Sequence, residues 1–356
     1  MKRMAIVTIT NGGSNFGNRL QNYALQTVLE RLGCSPETIF TANIVRRSVF
    51  LSRLRWFVRG IVKRTRRQYY FDRFNKRYIR AARRIRYQTL NDDAFARDGY
   101  DAAIAGSDQV WNPEFSFNTD FEFLTFMPQD KRWAYAASFG VDELTSGSLD
   151  KTASLLRGMR SISVREDAGG VIVKKLTGLD AAVHIDPSLL LEAADYEMLA
   201  APPPREPPGR YYLTYFLGEV PDEYRTYINE SASKLGLPVV AVNELPGSMY
   251  FNIGPRHFLY LISHADYVST DSYHGAVFSI IFHRCFTCFR RRGENDRMGS
   301  RLDTLLRITG LEGRQMDDRL SAAAATDPVD YSSVDEALKV ERARSLEYLR
   351  GIVEQC

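Results

Sequence analysis

A chain of 356 residues is long for one hydrophobic core and favours two domains. With 44% hydrophobic and 25% charged residues it has an ordinary globular composition, and no apolar run approaches the roughly 20 residues that span a bilayer. The net charge of +4 is unevenly spread: 16 Lys or Arg and one acid, Asp72, fall between Arg46 and Arg86, which leaves the remainder net acidic.

Met1 to Thr10 carries no cleavable signal pattern, so the expected location is cytoplasmic, with the inner face of the plasma membrane left open. Ala5 to Thr10 reads as a strand. The loop Asn11 to Asn18 leads into a helix with Leu20, Tyr23, Ala24, Thr27, Val28 and Leu32 on one stripe, closed by Gly33. Gly12, Gly13 and Gly17 lack dinucleotide-fingerprint spacing, so the loop is either a site loop or a tight turn. From Arg46 to Arg86 the pattern is helical, with Phe50, Leu54, Phe57, Val58 and Ile61 opposite Arg55, Arg59, Lys63 and Arg66. Such a helix suits an anionic membrane surface, or is a solvated face packed on its own domain; no nucleic-acid module accompanies it.

Asp101 to Gly106 is a further strand, running into Ser107, Asp108, Gln109 and Trp111, and Trp133 to Gly140 repeats the theme through Ser138. Ser161 to Val164 is a strand ending at Arg165, which is either a phosphate or carboxylate clamp or one half of a surface ion pair. Five prolines between Ala201 and Gly209 cannot continue a helix or central strand. They separate a first domain, 1–200 with a basic insertion at about 45–90, from a second at 210–330. The second alternates strand and helix: Tyr211 to Phe216, Glu223 to Leu235, Val239 to Val242, Arg256 to His264. The tail 331–356 reads as a helix crossing back to the first domain. Cys285 and Cys288 read as strand residues, because no second Cys pair supports a metal site. The layout is two Rossmann-like doubly wound α/β domains facing a cleft, with ligands expected at strand ends.

One stretch carries the chemistry. Tyr267 to Thr270 is a short buried strand, Asp271 and Ser272 are cap residues, and Gly275 to Phe282 is apolar all round, as a buried helix is. A strand that turns straight into a helix aims unpaired N–H groups at the turn, where an anion is favoured. His274 stands there as an acid or base, unless Asp271 and Ser272 are only caps and His274 a satisfied turn residue.

Together the segments Asn15-Phe-Gly-Asn-Arg-Leu-Gln21-Asn-Tyr-Ala-Leu25, Gly106-Ser-Asp-Gln-Val-Trp-Asn112, Tyr135 to Gly140, Ser163 to Glu166, Asp186-Pro187, Thr270-Asp-Ser-Tyr-His-Gly275 and Ser300-Arg301 resemble the polysaccharide pyruvyl transferase family. The resemblance implies a GT-B-like fold. It also implies transfer of a pyruvyl unit from phosphoenolpyruvate to a sugar of a cell-surface glycan or its lipid-linked precursor, giving a cyclic ketal and phosphate. Under it, Arg165 and His274 match the family's arginine and histidine; on the chemistry of the residue types, His274 is assigned as acid/base with Asp271 as its orienter or partner, and Arg165 and Arg301 as donor clamps with Ser272 and Gly275. Asn15, Gly17, Gln21, Ser107, Asp108, Gln109, Trp111 and Ser138 line the cleft or meet the acceptor. Where some members carry an arginine two residues before the histidine, this chain has Ser272. Arg301 is therefore assigned as the second cation, ahead of Arg290 to Arg292. No cofactor or metal is expected beyond phosphoenolpyruvate as co-substrate. The competing readings are a nucleotide-sugar glycosyltransferase of the same architecture and a non-catalytic glycan-binding relative.

Overall fold

Strand β1 (Arg3–Val7) stands at the centre of the first sheet because four of its five residues are apolar and buried. It pairs in parallel with β2 (Ser35–Thr38) on one side and β3 (Ala102–Ala105) on the other. Strand β4 (Arg132–Ala134) joins β3, and bridges from Trp133 to Ser161 and from Ala137 to Val164 carry the array on to β5 (Ser163–Val164) and β6 (Ala182–Val183). Strand β2 contains Pro36 and is not expected from sequence; it lies at the sheet edge, where a missing N–H is tolerated. Helix α1 (Phe16–Arg31) follows β1, and α2 (Arg66–Tyr78) packs Phe71 and Phe74 inward. Helices α3 (Leu149–Arg157), α4 (Asp167–Thr177) and α5 (Ala193–Leu199) complete this half.

The second sheet is also wholly parallel, in the order β10-β9-β7-β8. Its elements are β7 (Tyr212–Tyr215), α6 (Asp222–Leu235), β8 (Val239–Val242), α7 (Pro255–Ser263), β9 (Tyr267–Thr270), α8 (Tyr273–Ile281), β10 (Cys285–Cys288) and α9 (Ser300–Thr309). Each element expected here from the sequence is present within two residues of its bounds, Cys285 and Cys288 included. Residues 201–209 carry neither helix nor strand. Helix α10 (Tyr331–Gln355) starts against the second sheet, where Tyr331 donates to the Arg284 carbonyl. It ends against the first, where the Tyr348 hydroxyl donates to the Ala134 carbonyl and Lys2 to that of Val353.

In the first sheet the chain leaves β1 toward β2 and returns on the other side at β3; in the second it leaves β7 toward β8 and returns at β9. These two reversals are the points where an open α/β sheet leaves a crevice beyond its strand ends. The computed structural model describes residues 1–10, 15–40, 65–82, 99–115, 119–144, 149–242, 248–292, 299–316 and 327–356. The expected amphipathic stripe Phe50 to Ile61 lies outside them. No helix among the described residues is long and apolar enough to cross a membrane.

Candidate active site

The two crevices share one cavity of about 250 Å³. Ile9 and Asn15 reach it from beyond β1, Asp108 and Gln109 from beyond β3, Leu217 from beyond β7, and Ser272, Tyr273 and His274 from beyond β9. Arg291 and Arg301 close its wall.

Two helix N-termini end there. Asn15 caps α1 by accepting from the Asn18 amide, and Ser272 caps α8 by accepting from the Gly275 amide at 3.4 Å. The Ser272 amide is donated to Thr270 Oγ1, so the α8 amides left over from capping are those of Tyr273 and His274. Gly275 itself supports the site by size: a Cβ there would lie 2.9 Å from Thr270 Cβ, so only glycine lets the helix sit this near its strand.

His274 packs its ring against Gly17 in the first turn of α1. Its Nε2 is buried and makes no hydrogen bond among the described residues; Asp186 Oδ2 lies 3.7 Å away, an ion-pair distance too long for a direct hydrogen bond. The carboxylate facing the imidazole is therefore Asp186, following β6, and not Asp271. Asp271 spends Oδ1 on the Leu217 amide (2.7 Å) and Oδ2 on that of Gly218 (2.8 Å), pinning the β7 turn. Sequence reasoning left Asp186 off the site, although Asp186-Pro187 is one of the family segments. Burial pushes the Asp186 carboxyl up, but the neighbouring imidazole, the Arg165 guanidinium and the Ser188 amide outweigh it. They hold Asp186 well below the usual carboxylate range.

Arg165 is wholly enclosed beneath the cavity. Its Nη1 donates to Asp186 (2.7 Å), its Nη2 to Asp108 (3.2 Å), and its guanidinium lies 4.4 Å from the Tyr273 ring centroid. Desolvation lowers its pKa, but the two carboxylates more than reverse that. Asp108 also accepts from Asn18 Nδ2 and from the Gln109 amide, and is held down by Arg165, His274 and Arg301 against its own burial. Arg165 is thus the keystone under the floor, while the cations on the wall are Arg301 and Arg291. Arg301, whose guanidinium lies 5.9 Å from the Tyr273 ring centroid, is pushed down to about 10 by burial and then by the charges of Arg165 and Arg291. Arginines that repel one another in a small buried cavity make it favourable for an anion. Arg291, ranked below Arg301 from sequence, lies with Nε 3.5 Å from Asp271 Oδ2.

The remaining sequence candidates divide. Asn15, Asp108, Gln109 and Ser272 line the cavity, and Gly17 seats the imidazole. Gln21 is buried behind it, donating to Thr8 Oγ1 and the Asn18 carbonyl. Ser107 donates to Asp186 and the Ala136 carbonyl, and Ser138 to Glu166. Trp111 is a core residue, stacked on Phe123 at 5.3 Å and donating to the Glu122 carbonyl. Phe115, not expected, takes a place on the cavity wall.

A family model described as polysaccharide pyruvyl transferase matches residues 15–292, from the α1 cap through His274 to Arg292. The chain belongs to the polysaccharide pyruvyl transferase family. Arg301 lies beyond the span matched to the family. Among curated proteins, none matches this sequence. UDP-GlcNAc 2-epimerase from Methanocaldococcus jannaschii, solved with UDP-GlcNAc and UDP, is similar over 100% of both chains at a TM-score of 0.50 and 10% identity. UDP-GlcNAc 2-epimerase from Neisseria meningitidis, bound to UDP-GlcNAc, aligns over 98% of this chain and 100% of its own at 0.48 and 11% identity. Likeness at such identity concerns the fold alone, which is the GT-B-like pair of Rossmann-like domains.

Proposed function

We propose that this family member transfers a pyruvyl group from phosphoenolpyruvate to a sugar residue of a cell-surface polysaccharide or its lipid-linked precursor, forming a cyclic ketal and free phosphate. The observation that supports this most is the 250 Å³ cavity lined by His274 in the first turn of α8 together with Arg291 and Arg301. Its size suits a three-carbon donor, and its charge suits one that carries both a phosphate and a carboxylate.

In this reading the imidazolium of His274 gives a ring proton to the vinyl carbon of the donor. That leaves an oxocarbenium-like centre at the carbon bearing the phosphate ester. A sugar hydroxyl oxygen bonds to this carbon and its proton passes to the now neutral imidazole. A second hydroxyl of the same sugar then bonds to the carbon as the ester C–O bond breaks; phosphate leaves with the bridging oxygen and takes up the second proton. The Asp186 carboxylate holds the imidazole and stabilises its cationic form, and Arg301 and Arg291 stabilise the departing phosphate. The exposed basic residues Arg66, Arg73, Lys76 and Arg77 of α2 support a peripheral role at an anionic membrane, near a lipid-linked acceptor.

The test is phosphate release from phosphoenolpyruvate with a glycan acceptor present, followed by detection of an acid-labile pyruvate ketal in the product. Release of nucleoside diphosphate from sugar nucleotides in its place would reject the reading.

A further inference from the structure

A second cavity of about 620 Å³ opens beside the first, between α6 and the ends of β7 and β8. The two are separated by a single turn. Leu217 lines both cavities, and Gly218 lines the larger. Asp271 pins the amides of both residues. Gly218 is pressed so near the Arg291 segment that a Cβ on it would fall 2.7 Å from the Arg292 carbonyl oxygen. A cavity of 250 Å³ walled by cations holds the donor with little room for a hexose, so a two-substrate reaction needs an adjoining space.

The larger cavity has the chemistry of a sugar site. Thr214 is 8% exposed and lines it, and its hydroxyl makes no hydrogen bond among the described residues, which leaves a donor and an acceptor for a ligand or water. Glu219, Arg225 and Asn229 also line it without side-chain partners among the described residues, supplying one acceptor, one donor and one group that does both. Leu217 and Val239 are two large apolar side chains left 38% and 45% exposed, and both face this space. Among the described lining residues one carboxylate balances one guanidinium, which disfavours a polyanion and suits neutral hydroxyls over an apolar platform.

We infer that this cavity holds a sugar ring of the acceptor, presenting its hydroxyls across the Leu217–Gly218 turn; the assignment rests on the pyruvyl-transfer reading. The test uses Asn229→Trp, which fills the space from the helix, and Thr214→Val, which removes the hydroxyl at constant shape. Saturation-transfer NMR with methyl galactoside, methyl glucoside and methyl N-acetylmannosaminide reads the cavity, and calorimetric titration with phosphoenolpyruvate reads the donor site on the same samples. The expected result is a glycoside signal in the wild-type chain that disappears in Asn229→Trp and weakens roughly tenfold in Thr214→Val, about the value of one or two hydrogen bonds. Donor affinity stays unchanged in both. An unchanged glycoside signal in both variants, no glycoside binding at all, or UDP bound at this position in place of a glycoside would each overturn the inference. Failure of phosphoenolpyruvate to bind the wild-type chain strikes the donor reading instead, while the glycoside arm still decides the cavity.

Discussion

Gly17 and His274 occupy the same space to within one methyl group: a Cβ on Gly17 would overlap the imidazole and lie 2.7 Å from His274 Cβ. The first turn of α1, from one domain, is therefore the seat on which the other domain sets the His274 ring. Alanine at a helix position is ordinarily the better residue, by about 1 kcal/mol. Gly17→Ala is nevertheless expected to lower phosphate release about 10²-fold, the scale of an ångström's misplacement, in a chain that still melts cooperatively. Wild-type turnover in this variant would show that the ring's position is not critical.

Arg165 and Arg301 should separate by assay. Arg165→Met strands the buried carboxylates of Asp186 and Asp108, and its expected effect is a loss of about 3–5 kcal/mol in denaturant unfolding. Arg301→Met removes a buried cation that desolvation, Arg165 and Arg291 disfavour while Glu166 and Asp108 attract it, so its cost in stability should be smaller than that of Arg165→Met. The Michaelis constant for phosphoenolpyruvate should instead rise by roughly 10- to 100-fold, the value of a hydrogen bond to a charged group.

Asp186 also predicts a pH signature. Its folded-state pKa is depressed from an ordinary value of 3.8, so its ionised form stabilises the fold fully above about pH 4, and that contribution is lost as pH falls through the folded value. Urea melts of the wild-type chain and Asp186→Asn should therefore differ most at neutral pH and converge on acidification below about pH 4. A gap that widens with acid would contradict the assignment.

Two neighbours in sequence should fail differently. His274→Ala is expected to reduce turnover by about 10²–10⁴ with donor affinity largely kept. Asp271→Asn places an amide where two backbone N–H groups need acceptors, and should cost about 1–3 kcal/mol while raising the Michaelis constant for the donor. Equal losses of turnover in both would restore Asp271 as the imidazole's partner.

For the basic face of α2, the expected outcome is sedimentation with phosphatidylserine vesicles that weakens from low to high salt. Binding that is absent at low salt would remove the membrane contact and leave the chemistry untouched.

Much of the architecture was legible because its signals are local. Tyr267 to Thr270 is a β-branched and aromatic run, Ser272 a cap, and the residues after it an apolar helix, and β9 and α8 follow them closely. Strand β2 was not legible, since Pro36 argues against a strand unless the edge position is already known. The site was legible in its positions but not in its pairings. Asp271 stands three residues from His274, yet its carboxylate points at the β7 turn. Asp186, which meets the imidazole, is 88 residues away, and only the meeting of two sheets brings it there. Trp111 shows the opposite error: a large aromatic in a site-like motif can instead be filling the core, here against Phe123.

Helix α10 has a mechanical consequence. It is moored at its start by Tyr331 to the Arg284 carbonyl and near its end by Tyr348 to that of Ala134, so it works as a stiff strut bolted to both lobes. Any rocking that widens the mouth between them must flex this strut or slip one of its bolts.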